Sequence, residues 1–132
     1  MTKAEKKLMA LTLTHMIEYG LTCKVKGEGE ELMIKALEPD QKRIFNVALS
    51  NGEKVPMNDV VPILVPMTAI TKDEAYELHD LGGIIKYDSD SGEWQTMPIF
   101  TNTKVLDWFE THLIDYRGLI EKKLAIPKEN KS

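Results

Sequence analysis

Three histidines offer the first chance of acid–base or metal chemistry, and they stand at His15, His79 and His112. Each falls in a different helical segment, and none belongs to an H-E-x-x-H motif or stands near paired cysteines. His79-Asp80 has the form of half a metal-dependent phosphohydrolase doublet. Such a site takes further histidines and aspartates, so the pair reads as helix surface. His15 lies on the apolar side of the first helix and reads as a satisfied histidine at the core edge. Asp88-Ser89-Asp90-Ser91-Gly92 imitates the start of a calcium loop, yet the twelfth residue counted from Asp88 is Ile99, where an EF-hand places a bidentate glutamate. Aspartate, serine and glycine are also ordinary turn residues. No metal, cofactor or catalytic residue is therefore assigned.

Nucleophile and phosphate motifs lead to the same place. Cys23 alternates with polar neighbours and reads as a small buried hydrophobe. The G-x-S-x-G, G-x-x-x-x-G-K-[ST] and G-x-G-x-x-G patterns do not occur. In Gly27-Glu28-Gly29 a glutamate stands where a phosphate would approach. Lys24, Lys26, Lys42, Arg43 and Phe45 could meet a single strand of nucleic acid. The neighbouring turns, however, carry Glu28, Glu30, Glu31, Glu38 and Asp40. Solvent-facing charge on a half-exposed strand is the simpler account.

Net charge is −4, which opposes strong DNA binding. Residues 1–66 are neutral, 67–115 carry −7 and 116–132 carry +3. The acidic middle is either a solvated face or a surface for a basic partner. A single cysteine excludes an intramolecular disulfide and suits a reducing cytoplasm. No signal peptide is expected, because Thr12, Thr14, His15 and Glu18 interrupt the apolar start. Val60–Met67 is too short to span a bilayer and contains two prolines.

The elements that must position these residues follow from periodicity. Thr2-Lys3-Ala4-Glu5 has the form of a capping box, and apolar residues then recur at three- and four-residue spacing, predicting a helix over about 3–18 that stops at Gly20. Alternation at Leu21, Cys23 and Val25 predicts a strand, followed by strands at 31–37, 43–49 and 54–57. Asn51-Gly52 suits a type I′ hairpin. Residues 60–67, with Pro62 and Pro66, read as an edge strand or connector. Thr71-Lys72-Asp73-Glu74 is a second capping box, opening a helix that ends at Gly82-Gly83. A hairpin over 84–97 leads to a third helix capped by Asn102 or Thr103, with Val105, Leu106, Phe109 and Leu113 as its stripe and Trp108 at the border. Asp115 can cap a last helical turn, and Pro127 begins a polar tail.

The expected fold is α+β: an N-terminal helix, a small antiparallel SH3-like barrel over about 21–67, and a helix, hairpin and helices over about 68–126. Residues 127–132 form the tail of what reads as a single domain over 1–132.

Glu18-Tyr19-Gly20-Leu21, the run from Asp59 to Met67 leading into Thr71–Glu74, and Asp115-Tyr116-Arg117-Gly118-Leu119-Ile120-Glu121-Lys122 stand in a distinctive order. This order resembles a group of small uncharacterised proteins encoded by phages and prophages of gut Bacteroidales, over most of the chain. The chain departs from the group at Val65, where the group carries arginine, and at Lys123, where it carries glycine. The resemblance implies a genomic setting and no activity.

The function expected is non-enzymatic: an accessory protein of a phage or mobile element that binds a host or phage macromolecule, most readily a protein, in the host cytoplasm. The alternative is a protein that binds or sequesters a small ligand, a nucleotide signal among the possibilities. A metal-dependent hydrolase comes last. Arg43, Tyr87, Trp94, Trp108, Asp115, Tyr116 and Arg117 are the candidate ligand or partner residues, offering stacking and charge. Asp115–Gly118 reads equally as a cap and a tight corner.

Overall fold

A computed structural model describes residues 1–39, 45–90, 93–97 and 102–128; at 39, 84–88 and 93–97 it describes the backbone alone. Helix α1 spans Lys3–Met16, and its capping box forms: the Thr2 amide donates to Glu5 Oε1 at 2.8 Å and the Glu5 amide to Thr2 Oγ1 at 3.1 Å. Met9, Thr12, Leu13 and Met16 are buried at helical spacing. Leu8, Leu11 and His15 lie on the adjoining flank, three and four residues apart. The helix tightens into a 3-10 turn, Ile17–Tyr19, and stops where Gly20 takes a φ of 79°.

The strands among the described residues are β1 (Thr22–Val25), β2 (Glu31–Pro39), β3 (Phe45–Leu49), β4 (Lys54–Pro56), β5 (Val60–Leu64), β6 (Ile84–Asp88), β7 (Glu93–Met97) and β8 (Ile126–Pro127). Six of them form one mixed sheet in the order β4-β3-β2-β1-β5-β8. Its pairs are antiparallel except β5 with β8. Among the described residues this sheet is open, with β4 and β8 as its edges, so the expected SH3-like barrel is not confirmed. The edges are short and carry Pro56 and Pro127, and proline cannot donate to a further strand.

Three local expectations change. The β3–β4 turn is not type I′, because Gly52 alone has a positive φ, 91°. The Gly52 amide bonds to the Leu49 carbonyl and the Leu49 amide to the Glu53 carbonyl, a type I turn followed by a left-handed glycine. Strand β5 is no edge: β1 lies on one side and β8 on the other. Strand β8 pairs only with Ile63 and Leu64, so the ladder on that side asks nothing of Pro62. Pro127 is thus part of a strand rather than the start of a tail, and the Lys128 amide donates to the Leu64 carbonyl.

Helix α2 spans Lys72–Asp80 behind the second capping box, Thr71 with Glu74. Gly82, at φ 94°, closes it, with the Gly83 amide reaching back to the Leu78 carbonyl. Strands β6 and β7 pair as a separate hairpin. Helix α3 spans Thr103–Thr111, capped by Asn102, whose Oδ1 accepts from the amides of Lys104 and Val105. One apolar cluster draws on the helices, the sheet and the C-terminal segment, from Met9, Leu13 and Cys23 through Leu64 and Leu78 to Phe109, Ile114 and Leu119. Burial pushes the Cys23 thiol up to about 11, with Glu31 adding to the effect, which leaves an inert thiol. Among the described residues no helix is long and apolar enough to cross a membrane, and no group of three or more His, Cys, Asp or Glu side chains is placed to hold a metal.

Candidate functional site

After α3 the chain turns sharply twice, and both turns use a non-glycine residue in the left-handed region. Leu113 has φ 57°; the Ile114 amide bonds to the Phe109 carbonyl and the Leu113 amide to the Glu110 carbonyl. Lys123 has φ 61° and repeats the pattern, with Leu124 bonding to Leu119 and Lys123 to Ile120. Both are helix-ending motifs that glycine usually serves. Between them the Asp115 carboxylate, buried, accepts from the amides of Leu119 and Ile120 at 2.8 and 2.9 Å. Val65 then pins the segment to the sheet, donating to the Leu113 carbonyl and accepting from the Asp115 amide, each at 2.8 Å. Tyr116 and Arg117 are therefore carried by a loop whose backbone is fixed on both sides.

These two side chains meet Glu110 of α3. Glu110 is only 9% exposed, and its Oε1 accepts from the Tyr116 hydroxyl at 2.7 Å and from Arg117 Nη2 at 3.2 Å. His15 Nδ1 of α1 lies 3.6 Å from the same oxygen. A buried carboxylate needs such partners, because desolvation costs several kcal/mol per ion when the charge is left alone. The Tyr116 ring is held between Phe109, stacked at a centroid distance of 5.4 Å, and the Arg117 guanidinium, 4.4 Å from its centroid. Burial, then the bond to Glu110, raises the Tyr116 phenol above its ordinary value against the opposing charge of Arg117. Arg117 Nη1 is buried with no hydrogen-bond partner among the described residues.

Above this cluster lies a cavity of about 430 Å³ between α1 and α3. Leu8, Leu11 and His15 line it from α1, Leu106 and Glu110 from α3, and Tyr116 and Arg117 from the loop. Its volume sits at the small end of the range for ligand pockets, about 300–1,000 Å³. A second cavity of about 350 Å³, between Pro66–Thr68 and the loop, shares Tyr116 as a wall. The first combines apolar walls with a polar floor of fixed geometry, which suits a molecule with one apolar and one polar end.

Of the residues singled out in the sequence, Tyr116 and Arg117 come together at this floor, and Asp115 shapes their loop as a cap. Trp108 is buried in the core, stacked on His112 at 4.0 Å, and does not line the cavity. Arg43 lies outside the described residues. Tyr87 and Trp94 are paired in the backbone register of β6 and β7, and their side chains lie outside what the structure describes. Glu110 and the cavity role of His15, Leu8, Leu11 and Leu106 were not anticipated. The signal for Glu110 was present: Leu106, Glu110 and Leu113 recur at four and three residues, placing a carboxylate on an apolar stripe. Comparison with protein-family models, with curated proteins and with solved structures gives no match for this chain.

Proposed function

We propose that this chain is a binding protein whose ligand is a small amphipathic molecule held between α1 and α3. The observation that supports it is the conjunction of an apolar cavity of about 430 Å³ with a fixed cluster of Glu110, Tyr116 and Arg117 at its base. A surface ion pair needs no such cavity, and a core contact needs no such charge. The setting proposed is the cytoplasm of a bacterial host, in keeping with the resemblance to phage and prophage proteins.

A fragment panel followed by thermal unfolding tests the reading, because a ligand that binds only the native state stabilises it by mass action. Several amphipathic fragments should raise Tm in the unmodified chain and do so much less in Leu106→Phe, whose larger ring intrudes on the cavity. Stabilisation undiminished in Leu106→Phe would place the binding elsewhere, and an unresponsive panel would remove the reading.

A second reading, docking of a basic macromolecule, is favoured by the outer face of α2. Asp73, Glu77 and Asp80 are exposed there around Tyr76, which is 49% exposed. A tagged capture from host lysate with nuclease present supports it if one stoichiometric protein is retained and lost when Asp73, Glu77 and Asp80 become lysines. Retention unchanged by those substitutions argues against it.

A further inference from the structure

One oxygen of Glu110 gathers the whole network, and the other is left over. Oε1 accepts from the Tyr116 hydroxyl at 2.7 Å and from Arg117 Nη2 at 3.2 Å, with His15 Nδ1 3.6 Å away. Oε2 accepts no hydrogen bond among the described residues, and it is not a buried atom. The side chain that carries it is nine-tenths buried and lines the α1–α3 cavity. Arg117 Nη1, the donor without a partner, is buried, so what stands open at the base is an acceptor. A carboxylate oxygen held in an apolar recess is completed by a donor, most strongly by a charged one. Building on the cavity reading, we propose that the ligand is an apolar amine, its ammonium group engaging Glu110 Oε2 and its tail lying against Leu8, Leu11 and Leu106.

An ammonium brings three N–H donors and no acceptor, whereas an alcohol brings one donor and no charge. A carboxylate would set a second negative charge against Glu110 and leave Oε2 without a donor. The surroundings favour a cation further. The Tyr19 phenol is raised above its ordinary value by its bond to Glu18 first, and also by the charges of Asp107 and Glu110, so carboxylates of α3 and of the turn after α1 act on one place. Lys122 acts instead on Glu5, near the far end of α1. Arg117 is the cation that opposes a second one, and its nearest nitrogen faces Oε1 rather than the free oxygen. His15, with 48% of its side chain exposed, marks the mouth of the cavity. In its neutral form its ring has one acceptor nitrogen for a second N–H of the ammonium, and water at the mouth can take the third. The head group is thus selected by charge and donor count, and the tail by volume.

Calorimetric titration of the full chain at pH 7 with three probes of one shape decides the matter: 3-phenylpropan-1-amine, 3-phenylpropan-1-ol and 3-phenylpropanoate. The amine is expected to bind about ten times more tightly than the alcohol, the lower end of what a hydrogen bond to a charged group is worth, and the carboxylate should bind most weakly. Glu110→Gln should bring the amine down to the level of the alcohol, and Leu106→Phe should weaken both. If Glu110→Gln fails to fold, the ranking of the probes on the unmodified chain still decides. An amine preference that persists in Glu110→Gln is the pull of the chain's net charge and overturns the assignment. Equal or tighter binding of the alcohol or the carboxylate, weakened by Leu106→Phe, overturns the amine and leaves the cavity reading standing. Binding of none of the three overturns the amine; whether the cavity reading falls with it is read separately from the fragment panel.

Discussion

Glu110 is the residue on which the site turns, because its buried carboxylate gathers the Tyr116 hydroxyl and the Arg117 guanidinium on one oxygen. Tyr116→Phe removes a hydrogen bond to a charged group and should destabilise the protein by about 1.5–3 kcal/mol at pH 7. The pH dependence has a definite sign. The folded phenol titrates above its ordinary value, so its neutral form contributes stability that is complete below about pH 10, the value for an unfolded tyrosine. Above that pH the unfolded chain loses a proton that the folded chain keeps, and the contribution declines. Urea unfolding of the two proteins from pH 7 to 11 should show the advantage of Tyr116 narrowing only above about pH 10; an advantage that is flat or grows there contradicts the assigned environment. Tyr116 and Arg117 were legible in the sequence because they are neighbours in a distinctive run. Glu110 and His15 were not, since their meeting joins α1, α3 and the loop across most of the chain, and helical spacing says which residues share a stripe but not which stripe faces which.

At the level of elements, local chemistry was readable wherever it was self-contained. Both capping boxes form as Thr2–Glu5 and Thr71–Glu74 imply, and Asn102 caps α3. The Asn51-Gly52 pair gave a hairpin but the wrong turn, because a left-handed glycine serves a type I turn with a following bulge as readily as type I′. Strand β5 was misplaced because Pro62 forbids a full ladder, and nothing local says that only two residues of β8 would pair beside it. The loop carrying Tyr116 and Arg117 holds strain at Leu113 and Lys123, and Lys123 can be relieved. Lys123→Gly should stabilise the chain by about 0.5–1 kcal/mol, the left-handed cost of a side chain less the added entropy of glycine. An unchanged or lower denaturant midpoint would mean that the Lys123 side chain holds the turn by a contact that outweighs the strain.

Across the whole molecule, the α+β class and the order of helix, strands, helix, hairpin and helix followed from periodicity alone. Whether the sheet closes did not follow, since closure depends on tilt and register summed over every strand, which no single turn reports. The open sheet leaves α1 and α3 side by side over the C-terminal loop, and their shared cavity is the feature that a reading of separate elements could not supply. The alternation of Leu8, Leu11 and His15 with the buried stripe of Met9, Leu13 and Met16 shows how one helix serves both purposes. The central claim is that this cavity admits a small amphipathic ligand, and the most direct test is an NMR titration of isotope-labelled protein with 3-phenylpropan-1-ol, an uncharged amphipathic probe. The account predicts intermolecular NOEs from the phenyl protons to the methyl groups of Leu8, Leu11 and Leu106. NOEs confined to other parts of the surface would contradict it.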